Sequence, residues 1–224
     1  MRPLALFDLD NTLIDRQAAF NAWAEEFATA RQFDDKALTF LVMAGAHHSG
    51  PMDSFFTMLC ETFDLAEPPN ELWQQYRRRM PELVSCQASD RDALRRLRQA
   101  GWRIGIVTNG MTDNQSAKIR NTGLGDLVDG WAISDEVGIR KPDPEIFRVA
   151  AARCGTTLEP GGWMIGDDLT LDIAGGHTAG LRTVWLRPRP RTGPWSFSGP
   201  APDVVVGSVT EAVEALLDPG RETR

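Results

Sequence analysis

Two aspartates stand two positions apart, directly after a short apolar run near the start of the sequence. The run at positions 4–7 has the composition of a buried parallel strand, and Asp8 and Asp10 follow it. Side chains at positions i and i+2 point to the same face, so both carboxylates are expected to line one pocket. Because burying a charge without a partner is costly, we attribute this pair to chemistry rather than to folding.

Two further motifs offer groups that bind an anion. Thr108-Asn109-Gly110 follows a second apolar run and combines a hydroxyl, an amide and a flexible backbone, which together can cradle an anion at the start of a helix. Lys141 stands in Arg140-Lys141-Pro142-Asp143-Pro144, so it is a cation placed just before a predicted helix. Both motifs predict a site for a negatively charged group.

A second acidic cluster ends another apolar run. It comprises Asp167 and Asp168, with Asp172 a few positions later. Carboxylates supplied by two strands suit Mg²⁺, a hard cation that typically takes few protein ligands and leaves room for water and phosphate. Lys141 and backbone amides would offset the negative charge of a transferred phosphoryl group. Together the motifs supply a nucleophile, an acid or base, a metal site and an anion cradle.

Short apolar runs alternate with helical patterns over most of the sequence. Such alternation predicts an α/β fold, in which a parallel sheet is covered by helices on both faces. In such a sheet ligands bind at the carboxyl ends of the strands, which is where the polar motifs fall. Strands are predicted at 4–7, 103–108, 130–134, 162–167, 181–186 and 203–206, and helices at 90–100, 112–121, 142–154 and 208–217.

Residues 15–88 break this alternation. The sequence shows no prompt return to a second strand, and we interpret the stretch as a helical insertion mounted where the first strand leaves the sheet. Its most loop-like part is 44–51, where His47 and His48 are either solvated or in contact with substrate. Helices are predicted within the insertion at 17–31, 36–44, 52–63 and 71–80.

The composition is that of an ordinary globular protein. The chain has 224 residues and a formal net charge of −7, which argues against binding to a nucleic-acid backbone. Its three cysteines are widely spaced, which fits a reducing compartment. The first apolar run is too short for a secretory signal and no run is long enough for a membrane helix. A cytoplasmic location without a membrane partner is therefore expected, with the oligomeric state left open.

In this combination and order, the motifs resemble those of the haloacid dehalogenase-like hydrolase superfamily. The resemblance covers residues 1–14 and about 90–210, and rests on DxDxT at Asp8, a later Thr-Asn-Gly, Lys before Pro-Asp-Pro, and Gly-Asp-Asp. It implies the phosphatase branch with a helical cap inserted after the first strand. The implied domains are a three-layer Rossmann-like core at 1–14 and 89–218, an α-helical cap at 15–88 and a tail at 219–224.

The resemblance implies a role for each matching residue. Asp8 corresponds to the nucleophile that takes the phosphoryl group as an aspartyl-phosphate. Asp10 corresponds to the group that protonates the leaving oxygen and then activates water. Thr108 and the Asn109 amide correspond to groups that bind phosphoryl oxygens, and Gly110 allows the backbone to approach the substrate closely.

The metal site and the cap follow from the same resemblance. Lys141 is expected to steady the charge between the nucleophile and the phosphate. The cap would close over the substrate and exclude water, so its loops would select the leaving group. The ligands expected for Mg²⁺ are Asp8, Asp10 through its backbone carbonyl, Asp167 and Asp168, with Asp172 as the alternative to Asp168.

The predicted function is that of a Mg²⁺-dependent phosphatase acting on a small phosphorylated metabolite. A phosphomutase would use the same chemistry and return the phosphoryl group to a sugar. A 2-haloacid dehalogenase is disfavoured, because the position of Asp10 is generally not an acid in those enzymes. Outside enzymes, the alternatives are a phosphoacceptor signalling domain, which is shorter and lacks a cap, and a binding protein without activity.

Overall fold

The computed structural model describes residues 2–48, 52–158, 161–187 and 199–218. The chain divides into two compact units, one made of Met1–Ile14 with Cys86–Arg224 and the other of Asp15–Ser85. The tail predicted at 219–224 lies outside the described residues. Within the described part of the chain, every helix is too short or too polar to cross a membrane.

A parallel sheet forms the centre of the first unit. Its strands are β1 (Leu4–Phe7), β2 (Arg103–Thr108), β3 (Gly130–Ile133), β4 (Trp163–Gly166), β5 (Arg182–Leu186) and β6 (Val204–Val206). Among the described residues the spatial order is β3-β2-β1-β4-β5-β6, and all neighbouring pairs are parallel. Strands β1 and β4 are buried along their whole length, as expected when helices cover both faces. The predicted α/β fold is confirmed.

The helices of the described residues follow the predicted pattern closely. Two of them, at 52–63 and 112–121, have the predicted bounds, whereas short helical turns at 134–137 and 175–178 were not predicted because a single turn carries no periodicity. A 3₁₀ turn at Leu124–Asp126 and a π-helical segment at Leu169–Ala174 complete the set. The α-helices are α1 (Arg16–Ala30), α2 (Asp35–His47), α3 (Met52–Phe63), α4 (Pro69–Leu83), α5 (Ala88–Gln99), α6 (Thr112–Asn121), α7 (Ser134–Val137), α8 (Pro144–Arg153), α9 (Gly175–Thr178) and α10 (Val209–Leu217).

The second unit contains α1 to α4 and packs around aromatic rings. The ring of Trp23 lies 4.9 Å from that of Tyr76 and 5.6 Å from that of Phe56, measured between centroids. Phe20 and Phe55 pack edge to face at 5.8 Å. Aromatic pairs at these separations stabilise a core beyond the effect of their buried area. The helical unit therefore has a core of its own.

The loop predicted at 44–51 is partly wrong, because α2 continues through His47. The predicted loop includes Gly45. In the structure a Cβ atom at Gly45 would lie 2.1 Å from ring atoms of Phe20. The glycine is therefore explained by the close approach of α2 to α1 rather than by a turn. Residues 49–51 of the predicted loop lie outside the described residues.

Candidate active site

Three neighbouring strands bring the predicted motifs to one edge of the sheet. Asp8 follows β1, Thr108 is the last residue of β2 and Asp167 follows β4. Strand β1 lies between β2 and β4, and all three run in the same direction. Their carboxyl ends therefore lie at the edge where α/β sheets bind ligands.

Lys141 reaches this edge from the loop before α8 and pairs with two acids. Its Nζ atom lies 2.5 Å from Oδ1 of Asp8 and 2.7 Å from Oδ1 of Asp172. All three residues are buried. Asn109 fixes the main chain of Lys141, because its Oδ1 accepts from the Lys141 N–H at 2.9 Å and its Nδ2 donates to the Lys141 carbonyl at 3.0 Å. The side-chain amide of Asn109 thus positions the main chain of Lys141. The predicted role of Asn109 in binding phosphoryl oxygens stays a prediction.

Gly166, the last residue of β4, makes room for Asp172. A Cβ atom at Gly166 would lie 2.2 Å from Oδ2 of Asp172. The same oxygen accepts a hydrogen bond from the Asp168 N–H at 3.1 Å. The absence of a side chain at Gly166 therefore allows the Asp172 carboxylate to lie against the end of the strand.

The acids that come together differ in one member from the predicted ligand set. Carboxylate oxygens of Asp8, Asp167 and Asp172 all lie within 4.8 Å of one another. The exposed side chain of Asp168 instead caps the π-helical segment, where its Oδ1 accepts from the N–H groups of residues 170 and 171 at 2.8 Å. In the structure Asp172 stands beside Asp8 and Asp167, in the position that the sequence prediction gave to Asp168 with Asp172 as the alternative.

Burial raises the pKa of each acid in this group. The pKa of Asp8 lies well above its usual range, because burial outweighs the lowering effect of Lys141. Burial, followed by the charge of Asp172, raises the pKa of Asp167 to about 7. Burial also raises the pKa of Asp172, although Lys141 lowers it. One lysine therefore does not balance the charge of the three acids.

These residues fit a hard divalent cation. When all three acids are ionised, their charge exceeds that of the Lys141 ammonium by two in a largely buried place. Oxygen donors of this kind are the ligands that Mg²⁺ prefers. The raised pKa values of the acids come first from burial, which disfavours their charged forms, and a bound cation would offset that cost.

Helix α6 holds the second predicted catalytic acid, Asp10. The Nζ atom of Lys118 lies 2.7 Å from Oδ1 and 3.0 Å from Oδ2 of Asp10. Nε2 of Gln115 donates to Oδ2 of Asp10 at 2.9 Å and to Oγ1 of Thr108 at 2.6 Å. Lys118 and Gln115 are both buried. The helix thereby links the predicted acid and base to the predicted phosphoryl-binding hydroxyl.

Lys118 and Gln115 are the residues of this site that the sequence prediction missed. The sequence prediction assigned the functional residues to the ends of strands and interpreted the helix at 112–121 as one that covers the sheet. A signal was present, because three of the 24 basic residues are lysines, namely Lys36, Lys118 and Lys141. Two of these three lie buried against carboxylates. At these two positions a compact ammonium group contacts a carboxylate.

The remaining predicted substrate contacts lie in two places. The N–H of Gly110 donates to Oγ of Ser134 at 3.0 Å, just before α6 begins. His47 ends α2 in the helical unit, and the ring of His48 lies 5.3 Å from that of Phe55. Substrate binding by Gly110, His47 and His48 stays a prediction.

Comparison with known proteins identifies the family. A sequence model described as haloacid dehalogenase-like hydrolase matches residues 3–180, a range that contains every motif residue described above. The chain belongs to the haloacid dehalogenase-like hydrolases. The resemblance inferred from the motifs is thereby confirmed, as is the prediction that the protein is an enzyme of the hydrolase class.

Relatives of this haloacid dehalogenase-like hydrolase include named phosphatases. Phosphoserine phosphatase of Thermus thermophilus is 33% identical over 218 residues, covering 90% of this chain and 81% of the relative. Pyrimidine 5'-nucleotidase YjjG of Escherichia coli is 41% identical over 115 residues, a match that spans 51% of this chain and 49% of that protein. The crystal structure of the HAD-hydrolase YfnB of Bacillus subtilis bound to magnesium superposes with a TM-score of 0.76 at 25% identity, covering 97% of this chain and 100% of YfnB.

Proposed function

We propose that this haloacid dehalogenase-like hydrolase is a Mg²⁺-dependent phosphatase that acts on a small phosphorylated metabolite. The observation that carries the proposal is the buried contact of Lys141 with Asp8 and Asp172, next to Asp167. This contact puts a carboxylate nucleophile, a cation and a set of oxygen donors in one site. The phosphoserine phosphatase and the nucleotidase among the relatives support the choice of a phosphate ester as substrate.

The proposed reaction has two halves that share Asp8 and Asp10. In the first, a carboxylate oxygen of Asp8 forms a bond to phosphorus while the ester P–O bond breaks, and Asp10 gives a proton to the departing oxygen. In the second, water attacks the phosphorus of the aspartyl-phosphate and Asp10 takes the water proton, which releases inorganic phosphate and restores Asp8. Lys141 and Thr108 bind the phosphoryl oxygens during both halves.

Asp8 and Asp167 would hold Mg²⁺, with Asp172 beside both and the backbone carbonyl of Asp10 as a further donor. When bound, the cation offsets the negative charge of the phosphoryl oxygens. It would also cancel the excess charge of the acid group. The magnesium bound in the YfnB structure supports the choice of Mg²⁺ as the cation. In this proposal Asp168 serves as a helix cap.

The test uses the purified full chain with p-nitrophenyl phosphate, with and without Mg²⁺. A panel of phosphorylated metabolites follows, led by phosphoserine and pyrimidine nucleoside monophosphates because of the relatives named above. Asp8→Asn is expected to abolish turnover while circular dichroism shows an unchanged fold. Asp168→Asn is the matched control, since an asparagine also caps a helix, and it is expected to keep most of the activity.

Two results would contradict the proposal. One is turnover of phosphate esters by Asp8→Asn at the wild-type rate. The other is release of halide from 2-haloacids without any phosphatase activity, which would make the protein a dehalogenase. A requirement for a sugar bisphosphate would identify a phosphomutase instead. Loss of activity in Asp168→Asn would return that residue to the ligand set.

A further inference from the structure

Lys118 is a buried lysine that the reaction proposed above does not use. It lies on α6 one turn after Gln115, and both side chains contact Asp10. We propose that Lys118 and Gln115 are positioning residues that hold the Asp10 carboxylate in the geometry for proton transfer. This inference rests on the proposed function, because it assigns a task to two residues of that same site.

The contacts from α6 engage both oxygens of Asp10. Lys118 donates to Oδ1 and Oδ2, and Gln115 donates to Oδ2. The Lys118 side chain is 4% exposed, whereas that of Asp10 is 21% exposed. The carboxylate is thus held by a buried donor while it remains partly exposed itself. An acid in this position can still meet a leaving oxygen or a water molecule.

Asp10 needs such support because it stands outside regular secondary structure. It lies in the turn after β1, where it forms an isolated bridge with Ile14. The next residue, Asn11, has a left-handed backbone with φ of 61° and donates its N–H to the carbonyl of Ile14. A side chain on a turn is held less firmly than one on a strand or helix. Catalytic groups must be held close to their productive geometry, so the contacts from α6 supply what the turn does not.

The energetics also point to function rather than to folding. Burying an ammonium group is costly unless it is paired and hydrogen-bonded, and an apolar side chain of similar volume often stabilises a fold as well or better. A lysine at position 118 is therefore best explained by the acid it holds. Gln115 adds a second constraint, because its Nε2 spans Asp10 and Thr108. One side chain thus sets the separation between the proton-transfer group and the phosphoryl-binding hydroxyl.

The experiment compares phenyl phosphate with p-nitrophenyl phosphate, which have similar shapes but different leaving groups. Phenolate is a strong base and needs a proton as it leaves, whereas p-nitrophenolate leaves without one. The value of kcat/KM covers the steps up to the phosphoenzyme. Lys118→Met is expected to lower kcat/KM by about 100-fold for phenyl phosphate, the scale of general acid catalysis, and by less than about tenfold for p-nitrophenyl phosphate. Asp10→Asn should show the same selectivity between the two substrates.

Gln115→Met is the second variant and removes the donor while keeping the length of the side chain. It is expected to lower kcat/KM on both substrates, because Gln115 also contacts Thr108, but more for phenyl phosphate. It serves as the test if Lys118→Met fails to fold. Lys36→Met, at an exposed position of α2, is the matched control and should leave both values unchanged. Equal losses on both substrates in the folded variants, or no loss on either, would overturn the positioning role.

Failure of this inference is distinguishable from failure of the proposed function. If the wild-type chain hydrolyses phosphate esters and Asp8→Asn does not, the phosphatase stands whatever Lys118→Met shows. If the wild-type chain hydrolyses neither phenyl phosphate nor p-nitrophenyl phosphate in the presence of Mg²⁺, both proposals fall together.

Discussion

Replacing Gly166 with alanine should damage the active site through steric conflict alone, with no change in charge. The added Cβ atom would lie 2.2 Å from Oδ2, 2.4 Å from Cγ and 2.6 Å from Cβ of Asp172. Because the Cβ atom of Asp172 is among the close atoms, rotating its carboxylate does not relieve the conflict. The π-helical segment that carries Asp172 must shift.

The size of the effect follows from the distances. Real Cβ contacts essentially never fall below 3.0 Å, so Asp172 has to move by about 1 Å, a misplacement that can cost on the order of 100-fold in rate. Its 2.7 Å contact with Lys141 would then be lost, and Lys141 would be free to leave Asp8. Gly166→Ala is therefore expected to lower kcat by about 100-fold. Overpacking should also lower the free energy of unfolding by about 1–3 kcal/mol.

Steady-state turnover of p-nitrophenyl phosphate with saturating Mg²⁺ measures the rate effect, and urea unfolding measures the effect on stability. Gly125→Ala is the matched control, because a Cβ atom there would meet its nearest neighbour at 3.8 Å. It should change neither quantity appreciably. A Gly166→Ala variant that folds and keeps the wild-type kcat would refute the reasoning that ties Asp172 to Lys141 and Asp8.

Three further experiments, two with substitutions and one with a thiol reagent, have defined expected results. Lys141→Met leaves buried carboxylates without their cation, so urea unfolding should show a loss of about 3–5 kcal/mol in the free energy of unfolding; a loss below about 1 kcal/mol would contradict the buried pairing. Gly45→Ala forces a Cβ atom into the ring of Phe20 and should destabilise the chain by about 1–3 kcal/mol, seen as a lower Tm in calorimetry; an unchanged Tm would be at odds with this packing. Burial raises the pKa of Cys86 to about 11 and that of Cys154 to about 12, so both remain protonated thiols at pH 8. A thiol reagent should therefore label them only after the protein unfolds. Rapid labelling of the native protein would count against their burial.

The parts of the site that follow strands could be predicted from the sequence. Asp8 was identifiable because an apolar run fixes where a strand ends, and Asp10 because a second acid follows two positions later. The two-residue period that put both side chains on one face does not extend to them, because β1 ends at Phe7. Lys141 and Asp167 were identifiable only as members of an ordered set, since a single lysine or aspartate carries little information. The sheet order then brings the ends of adjacent strands together.

Residues positioned by helices were harder to predict. The choice between Asp168 and Asp172 depends on a π-helical segment, whose altered turn cannot be read from residue spacing. Lys118 and Gln115 are spaced three apart on α6, so they share a face, but nothing in the helix pattern says that this face meets Asp10. Gly45 lies in the stretch predicted as a loop, and a glycine that allows close helix packing looks the same in sequence as one that permits a turn.

The most direct test of the account is the identity of the phosphorylated residue. The full chain is mixed with substrate and Mg²⁺, quenched rapidly in acid and treated with borohydride, which reduces an acyl phosphate on aspartate to the alcohol homoserine. Peptide mass spectrometry then locates the reduced residue. We expect homoserine at position 8, dependent on substrate and absent without it. Reduction at another aspartate, or turnover with no reduced residue under conditions that trap other acyl phosphates, would contradict the central claim that Asp8 is the nucleophile.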